Sequence, residues 1–305
     1  MESHLTPLSF IRGKLTSHCV CMTLLLLTAL PSQGKTLYFS SIPSTGSQWS
    51  DVHHHRLEVF LSSNLNIEVK YIPTNSYEES VELFKQGAVQ LGWFGGVTGI
   101  QAHEAVPNST VLAQGFEDQY FKSYFIANKD TKLKVSRKFP AQIEGLRLLF
   151  GSRYSTSGRL MPEYFIRQQF AGELSAHFKK IGYSGNHSNT IKGVVEGQYD
   201  IGVVDYKVWL SALQNKNISQ SKAYVIWETP PYPDYHWLLS GKSSQLFGDD
   251  IAEKVRAAIL AMNSEVGLMR IFDRSHFVHA EISDYEILRE IMKEIKLLPP
   301  KNTKH

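Results

Sequence analysis

Cysteine is almost absent from this chain: two residues among 305, Cys19 and Cys21, both inside one apolar run near the N-terminus. The remainder therefore has no disulfide, no thiol nucleophile and no Cys-ligated metal. Charge of one sign is also scarce, with a formal net charge of +3 and no Lys/Arg-rich run. The aromatics are not interleaved with basic residues, so nucleic acid is excluded as a partner. After the N-terminal run no segment is apolar enough to cross a membrane, and neither an internal repeat nor a low-complexity tract is present. What remains is a globular composition, 42% hydrophobic and 20% charged, of a length that suggests about two domains.

The N-terminus has a character of its own. Arg12 and Lys14 precede the apolar stretch Cys19 to Leu30, and Pro31-Ser32-Gln33-Gly34 follows. A basic region, a short apolar segment and a small-residue exit predict a signal peptide over residues 1–34, cleaved after Gly34. The alternative is an uncleaved anchor. Export would put the mature chain in an oxidising compartment, which suits a protein without cysteines.

Beyond it, strand and helix patterns alternate. Strands are predicted over 36–40, 67–71, 89–94, 124–127, 146–150, 199–204 and 224–227, and helices over 52–63, 77–85, 98–105, 160–170, 190–196, 251–262 and 285–295. Such alternation argues for α/β units on mostly parallel sheets. Two extended segments, Lys122 to Asp130 and the proline-stiffened Trp227 to Tyr235, read as crossings between lobes. They divide the chain into residues 35–130 plus 229–305 as one lobe and 131–228 as the other. Two lobes joined by two strands suit hinge closure on a ligand.

Ligands in such sheets bind beyond the strand ends. The most informative segment is Phe150-Gly-Ser-Arg-Tyr-Ser-Thr-Ser-Gly-Arg-Leu-Met-Pro162, where a strand meets three consecutive hydroxyl residues and a helix then starts. Hydroxyls and first-turn amides at the positive end of a helix make a seat for a small anion; the plainer possibility is an ordinary capped helix. Three other loops follow strands towards the same cleft: Ser40-Ser41-Ile42-Pro43-Ser44-Thr45, Trp93 to Gly99, and Val204-Asp205-Tyr206. The glycine-rich Trp93 to Gly99 loop reads as a second anion-compatible helix start, in the other lobe. His53-His54-His55 would point to different faces of a helix, so we expect exposed side chains and no metal site.

Trp93-Phe94-Gly95-Gly96, the Ser155 to Pro162 run, Gly185-Asn186-His187 and the Trp227 to Pro233 crossing occur in this order. Together they resemble the phosphate/phosphite/phosphonate solute-binding proteins of ABC importers, the PhnD-like family, over essentially all of residues 36–298. The segments Gly95 to Ala102, Phe121 to Ala127 and Pro233 to Trp237 are most similar to the subgroup labelled putative selenate transporter binding proteins.

The resemblance implies an α/β, two-lobed periplasmic-binding-protein type II fold, with two mixed sheets joined by a two-strand hinge. It implies a periplasmic, monomeric receptor with no cofactor and no catalytic residue, whose partners are a small oxyanion and an ABC permease and ATPase complex at the inner membrane. Carried over by position, Ser155, Thr156 and Ser157 bind the anion oxygens through hydroxyls and amides, and His187 donates to the same group. Tyr77 and Phe94 line the pocket, with Ser41, Asp205 and Tyr235 beside it.

The positions at which aminoalkylphosphonate binders carry amine-reading carboxylates align with Lys207 and Tyr235, which disfavours an ammonium-bearing ligand. Asp205 would either select a protonated oxyanion, by accepting its proton, or merely cap the following helix. Two other functions stay open. One is a ligand-sensing domain; the other is an enzyme on the same fold, as in thiamin-pyrimidine biosynthesis, although no nucleophile, base and orienting group occur together.

Overall fold

The computed structural model describes residues 1–2, 35–43, 51–216 and 218–298. The expected signal peptide, apart from its first two residues, and Ser44 and Thr45 of the first loop lie outside the described residues.

Eleven strands are described: β1 (Leu37–Ser41), β2 (Val69–Tyr71), β3 (Leu91–Phe94), β4 (Thr110–Gly115), β5 (Ser123–Asn128), β6 (Arg147–Phe150), β7 (Lys180–Tyr183), β8 (Ile201–Asp205), β9 (Ala223–Glu228), β10 (His236–Leu239) and β11 (Phe277–His279). They form two sheets, in the orders β11-β4-β10-β3-β1-β2 and β7-β6-β8-β5-β9. In the first, β1 runs parallel to β2 and β3, while β10 and β11 pair antiparallel. In the second, β6 is parallel to β7 and β8, and β5 and β9 are antiparallel. The sheets are thus mixed rather than mostly parallel. The returning chain adds β10 next to β3 instead of extending the βα repeat.

The central strands are buried on both faces, as crossover helices dictate. All four residues of β3 and of β10 are buried. Helices Asp51–Leu65, Tyr77–Gln86, Gly96–Ala105, Ile251–Ala261 and Glu286–Glu294 enclose the first sheet. Helices Met161–Gln169, His187–Val195 and Tyr206–Gln214 enclose the second. Tyr77–Gln86 shows how local sequence fixes an element. Ser76 accepts a hydrogen bond from the Glu79 amide, acidic residues occupy the first turn, and Gly87 ends the helix in the left-handed region at φ 81°.

The two crossings lie side by side. β5 and β9 pair with each other inside the second sheet, so the first crossing is a strand of that sheet from Ser123 onward. Phe121 and Tyr232 form a bridge where the chains leave it. The Ser123 and Tyr232 hydroxyls meet at 2.6 Å, and the Ser123 amide donates to the Thr229 hydroxyl at 3.0 Å.

The layers around the two sheets touch. Leu160 and Met161, which follow β6, belong to the same apolar cluster as β3 and Leu288, with Tyr154, Tyr164 and Phe165 packed against it. A Cβ on Gly96 would fall 2.3 Å from Leu288 Cδ1 and 3.2 Å from the Thr156 hydroxyl, so a side chain here would have to displace Leu288.

Candidate functional site

The seat is built on an irregular helix start. Thr156–Leu160 forms a π-helical turn, continued by Met161–Gln169, with Ser155 as its cap accepting from the Gly158 amide at 2.8 Å. Such turns leave amides outside the regular ladder and are common at functional sites. Ser155, Thr156 and Ser157 are all buried. Their hydroxyls have different duties. Ser155 caps, Thr156 accepts from the Val97 amide of the opposite lobe at 3.1 Å, and Ser157 Oγ is buried with no hydrogen-bond partner.

His187 is fully buried one helix away, at the start of His187–Val195, where Asn186 supplies the cap. Its Nδ1 accepts the Asp205 amide at 3.3 Å, so in the neutral ring the proton sits on Nε2. That Nε2 has no partner. Burial pushes the His187 pKa below its ordinary value, partly countered by Asp205, which keeps the imidazole neutral and a donor. The ring stands at the seat: a Cβ on Gly158 would lie 3.0 Å from His187 Cε1 and 3.0 Å from Ser155 Oγ.

Tyr77 completes the set. Its hydroxyl is buried without a hydrogen-bond partner, close enough to Ser155 to be influenced by it. Burial drives its pKa far upward, reinforced by the charges of Asp205 and Asp234, so the phenol keeps its proton. An unpaired buried donor costs about 1–3 kcal/mol, so each of these three requires an explanation.

Asp205 caps the helix Tyr206–Gln214, its Oδ1 accepting from the Lys207 and Val208 amides. Its Oδ2 accepts from the Tyr235 hydroxyl at 3.4 Å. Tyr235 is buried and stacks on Trp93, their ring centroids 5.6 Å apart. Trp93 also packs against Trp237, Phe272 and Phe277 and is core.

Other expected residues stand apart from the seat. Phe94 sits under the helix Tyr77–Gln86 with its ring edge-on to Phe84. Ser41 shares its hydroxyl with Tyr71 at 3.1 Å. Lys207 turns out of the pocket altogether: its Nζ donates to the Asp273 carbonyl at 2.7 Å and lies 3.4 Å from the carboxylate. It ties the helix Tyr206–Gln214 to the end of the helix Val266–Phe272. Of the histidine run, His55 is exposed, but His53 and His54 are half-buried and His54 stacks on Tyr71 at 3.6 Å. No group of His, Cys, Asp and Glu side chains suited to a metal ion is found among the described residues.

Several residues at the site gave no signal in the sequence. Asp234 is buried and accepts from the Gly96 amide at 2.8 Å. The start of the helix Gly96–Ala105, expected to face the ligand, is thus already occupied by an internal carboxyl. Burial raises the Asp234 pKa to about 8, opposed by the Gly96 amide and the Thr156 hydroxyl. Asp118 and Arg274 form a buried two-pronged pair at 2.6 and 2.7 Å, with the guanidinium 5.3 Å from the Tyr235 ring. Their sequence separation of 156 residues hid this pair.

Residues 39–285 match the family described as "ABC transporter, phosphonate, periplasmic substrate-binding protein". The chain belongs to this family of phosphonate-type binding proteins. A relative from Prochlorococcus marinus (strain MIT 9301), named a probable ABC transporter phosphite binding protein PhnD1, is 36% identical over 272 residues, covering 87% of this chain and 91% of the relative. The solved structure of PhnD1 from that organism, in complex with methylphosphonate, superposes with a TM-score of 0.80 at 35% identity, covering 87% of this chain and 99% of the other. A binding protein component of an ABC phosphonate transporter from Pseudomonas aeruginosa shares the fold, with a TM-score of 0.73 at 18% identity and coverage of 86% and 87%. Two mixed α/β sheets of the periplasmic binding protein type II kind are what these neighbours have in common with this binding protein. The family is one of transport receptors rather than enzymes. No described helix of this family member is long and apolar enough to cross a membrane.

Proposed function

We propose that the chain is the exported, monomeric receptor of an ABC importer, which closes on a small tetrahedral phosphorus oxyanion and delivers it to its permease and ATPase. The observation that carries this reading is that Ser157 Oγ, His187 Nε2 and Tyr77 OH, on or beside the Thr156–Leu160 turn, are buried without hydrogen-bond partners. A tetrahedral anion has oxygens for all three donors and for the turn's amides.

The ligand class follows from what stands opposite. Asp205 Oδ2 accepts from the Tyr235 hydroxyl, and Lys207 is engaged by Asp273. Asp205 Oδ2 has a single long donor and can take a proton from a ligand hydroxyl. This favours monoprotonated anions, methylphosphonate or phosphite, over sulfate and selenate, which carry no proton at neutral pH. The positions aligned with the amine-reading carboxylates of aminoalkylphosphonate binders hold Lys207 and Tyr235, neither of which pairs with an ammonium as a carboxylate does. The relative named for phosphite and the neighbour holding methylphosphonate support the same class.

A thermal-shift and calorimetric panel tests this. Methylphosphonate and phosphite should stabilise the protein, phosphate less, aminoethylphosphonate, sulfate and selenate little, since only anions that bind the native state raise its stability. No shift with any phosphorus anion would overturn the receptor reading. Selenate or sulfate binding more tightly than phosphite at neutral pH would overturn the role given to Asp205.

A further inference from the structure

Asp118 and Arg274 form the most enclosed ion pair among the described residues, their side chains 0% and 5% exposed. Nε and one terminal nitrogen of Arg274 meet the two carboxylate oxygens at 2.7 and 2.6 Å. The other terminal nitrogen donates to the Phe272 and Asp273 carbonyls at 2.7 and 3.2 Å. Gly115 makes room for the pair: a Cβ there would fall 2.4 Å from Asp118 Oδ2 and 2.7 Å from Arg274 Cγ. A buried ion pair is a poor route to stability, since well-packed apolar residues of the same volume often serve as well. Its surroundings give it another task. The guanidinium carbon lies 5.3 Å from the centroid of the Tyr235 ring, which also packs on Trp93 and Phe121 at 5.6 and 5.5 Å. The Asp118 carbonyl accepts the Asp234 amide at 2.9 Å, which fixes the backbone one residue before that ring. From this socket the Tyr235 hydroxyl reaches Asp205 Oδ2 at 3.4 Å. That oxygen has no other donor among the described residues, and its second lone pair stays open to a ligand hydroxyl. Burial works against the Arg274 charge, but Asp118 and Asp205 outweigh it and raise the pKa, so the guanidinium stays charged.

We propose that Arg274, clamped by Asp118, is a positioning residue for ligand discrimination, holding the Tyr235 ring so that its hydroxyl stays on Asp205 Oδ2. The planar fork matters as well as the charge. It takes Asp118 with two parallel bonds while lying against an aromatic ring, which a lysine ammonium cannot do. With Tyr235 in place Asp205 is tied at both oxygens, Oδ1 by the Lys207 and Val208 amides and Oδ2 by the phenol. A carboxylate so fixed aims its free lone pair at one place. There a proton-bearing ligand oxygen gains a charge-assisted hydrogen bond, and a bare anionic oxygen meets repulsion. Arg274 acts through Tyr235 alone. This deepens the receptor reading given above and rests on it, including the part given there to Asp205.

Calorimetric titration with methylphosphonate and methanesulfonate tests this on wild type, Arg274→Lys and the double variant Asp118→Asn with Arg274→Gln. The two monoanions share shape and charge, but only methylphosphonate carries a proton for Asp205. Arg274→Lys keeps the charge and loses the fork and the stack. The double variant puts a neutral hydrogen-bonded pair in place of the ionic one and leaves no lone buried charge. Both should bind methylphosphonate about tenfold more weakly, the loss of one hydrogen bond to a charged group, while methanesulfonate, measured by displacement, changes by less than about twofold. A crystal structure of either liganded variant should show the Tyr235 hydroxyl off Asp205 Oδ2. The proposal fails if both variants bind methylphosphonate like wild type, if both anions weaken in the same proportion as general loosening requires, or if Tyr235 keeps its place on Asp205. Wild type that binds no phosphorus anion overturns the receptor reading and this role with it. Wild type that takes both anions equally overturns the role of Asp205, whereas variants that discriminate as wild type does overturn the role of Arg274 alone.

Discussion

Asp234 carries the largest electrostatic cost at the site. Its carboxyl is enclosed beside Asp205 and Asp118, both of which add to the effect of burial, and its pKa rises from 3.8 to about 8. Between those values the native state keeps a proton that the unfolded chain has released. Stability therefore falls as pH rises through that window, by at most ~1.4 kcal/mol per unit. Asp234→Asn keeps the acceptor for the Gly96 amide and has nothing to titrate. Its melting temperature relative to wild type should climb steadily between about pH 5 and about pH 8. A difference that stays constant across that range would show that Asp234 is ionised throughout. His187 works in the opposite sense: neutrality there is useful, because the ring reaches the seat as an Nε2–H donor only while Nδ1 accepts the Asp205 amide.

At the scale of elements, the decisive one is the Thr156–Leu160 turn, and its tightness comes from Gly158. A Cβ there would lie 3.0 Å from both His187 and Ser155 Oγ and 3.2 Å from the Gly151 backbone. Gly158→Ala must push the imidazole and the cap apart, with little room on the backbone side. We expect a stability loss of about 1–3 kcal/mol, typical of overpacking, and a larger proportional loss of ligand affinity, tenfold or more, since the donors must converge on one group. Calorimetry against chemical denaturation separates the two; an affinity equal to wild type would mean that His187 does not belong to the seat. This element was legible in the sequence, because strand, hydroxyl run and helix start are local signals. His187 and Tyr77 were expected only through the family resemblance, His187 by its motif and Tyr77 by position. β4, β10 and β11 were not legible, since they are placed by partners far along the chain. The helix Gly96–Ala105 starts two residues before the sequence suggested: its N-cap is Gly95, and its first amide is taken by Asp234, 138 residues away.

At the scale of the whole molecule, the layers of the two sheets meet through an apolar seam and a few polar ties. Lys207, on the second lobe, reaches the end of the helix Val266–Phe272, where Asp273 adopts the left-handed conformation at φ 52° and leaves its carbonyl exposed. A cation at a helix C-terminus is favourable by a few tenths to about 1 kcal/mol. Lys207 could aid binding in two ways: as a tie that slows opening, or as a positive charge that draws anions in. The geometry favours the tie, since the Nζ is held at 2.7 Å by a carbonyl of the other lobe. Lys207→Met keeps the stem and removes both. The tie requires faster dissociation of methylphosphonate, by up to about fivefold at low salt, with association unchanged. The gap should narrow as salt rises, because Asp273 is half exposed and its charge is screened. Slower association at low salt with dissociation untouched would instead make Lys207 a steering charge, and the lobes would then be held by the seam and the Thr156 contacts alone.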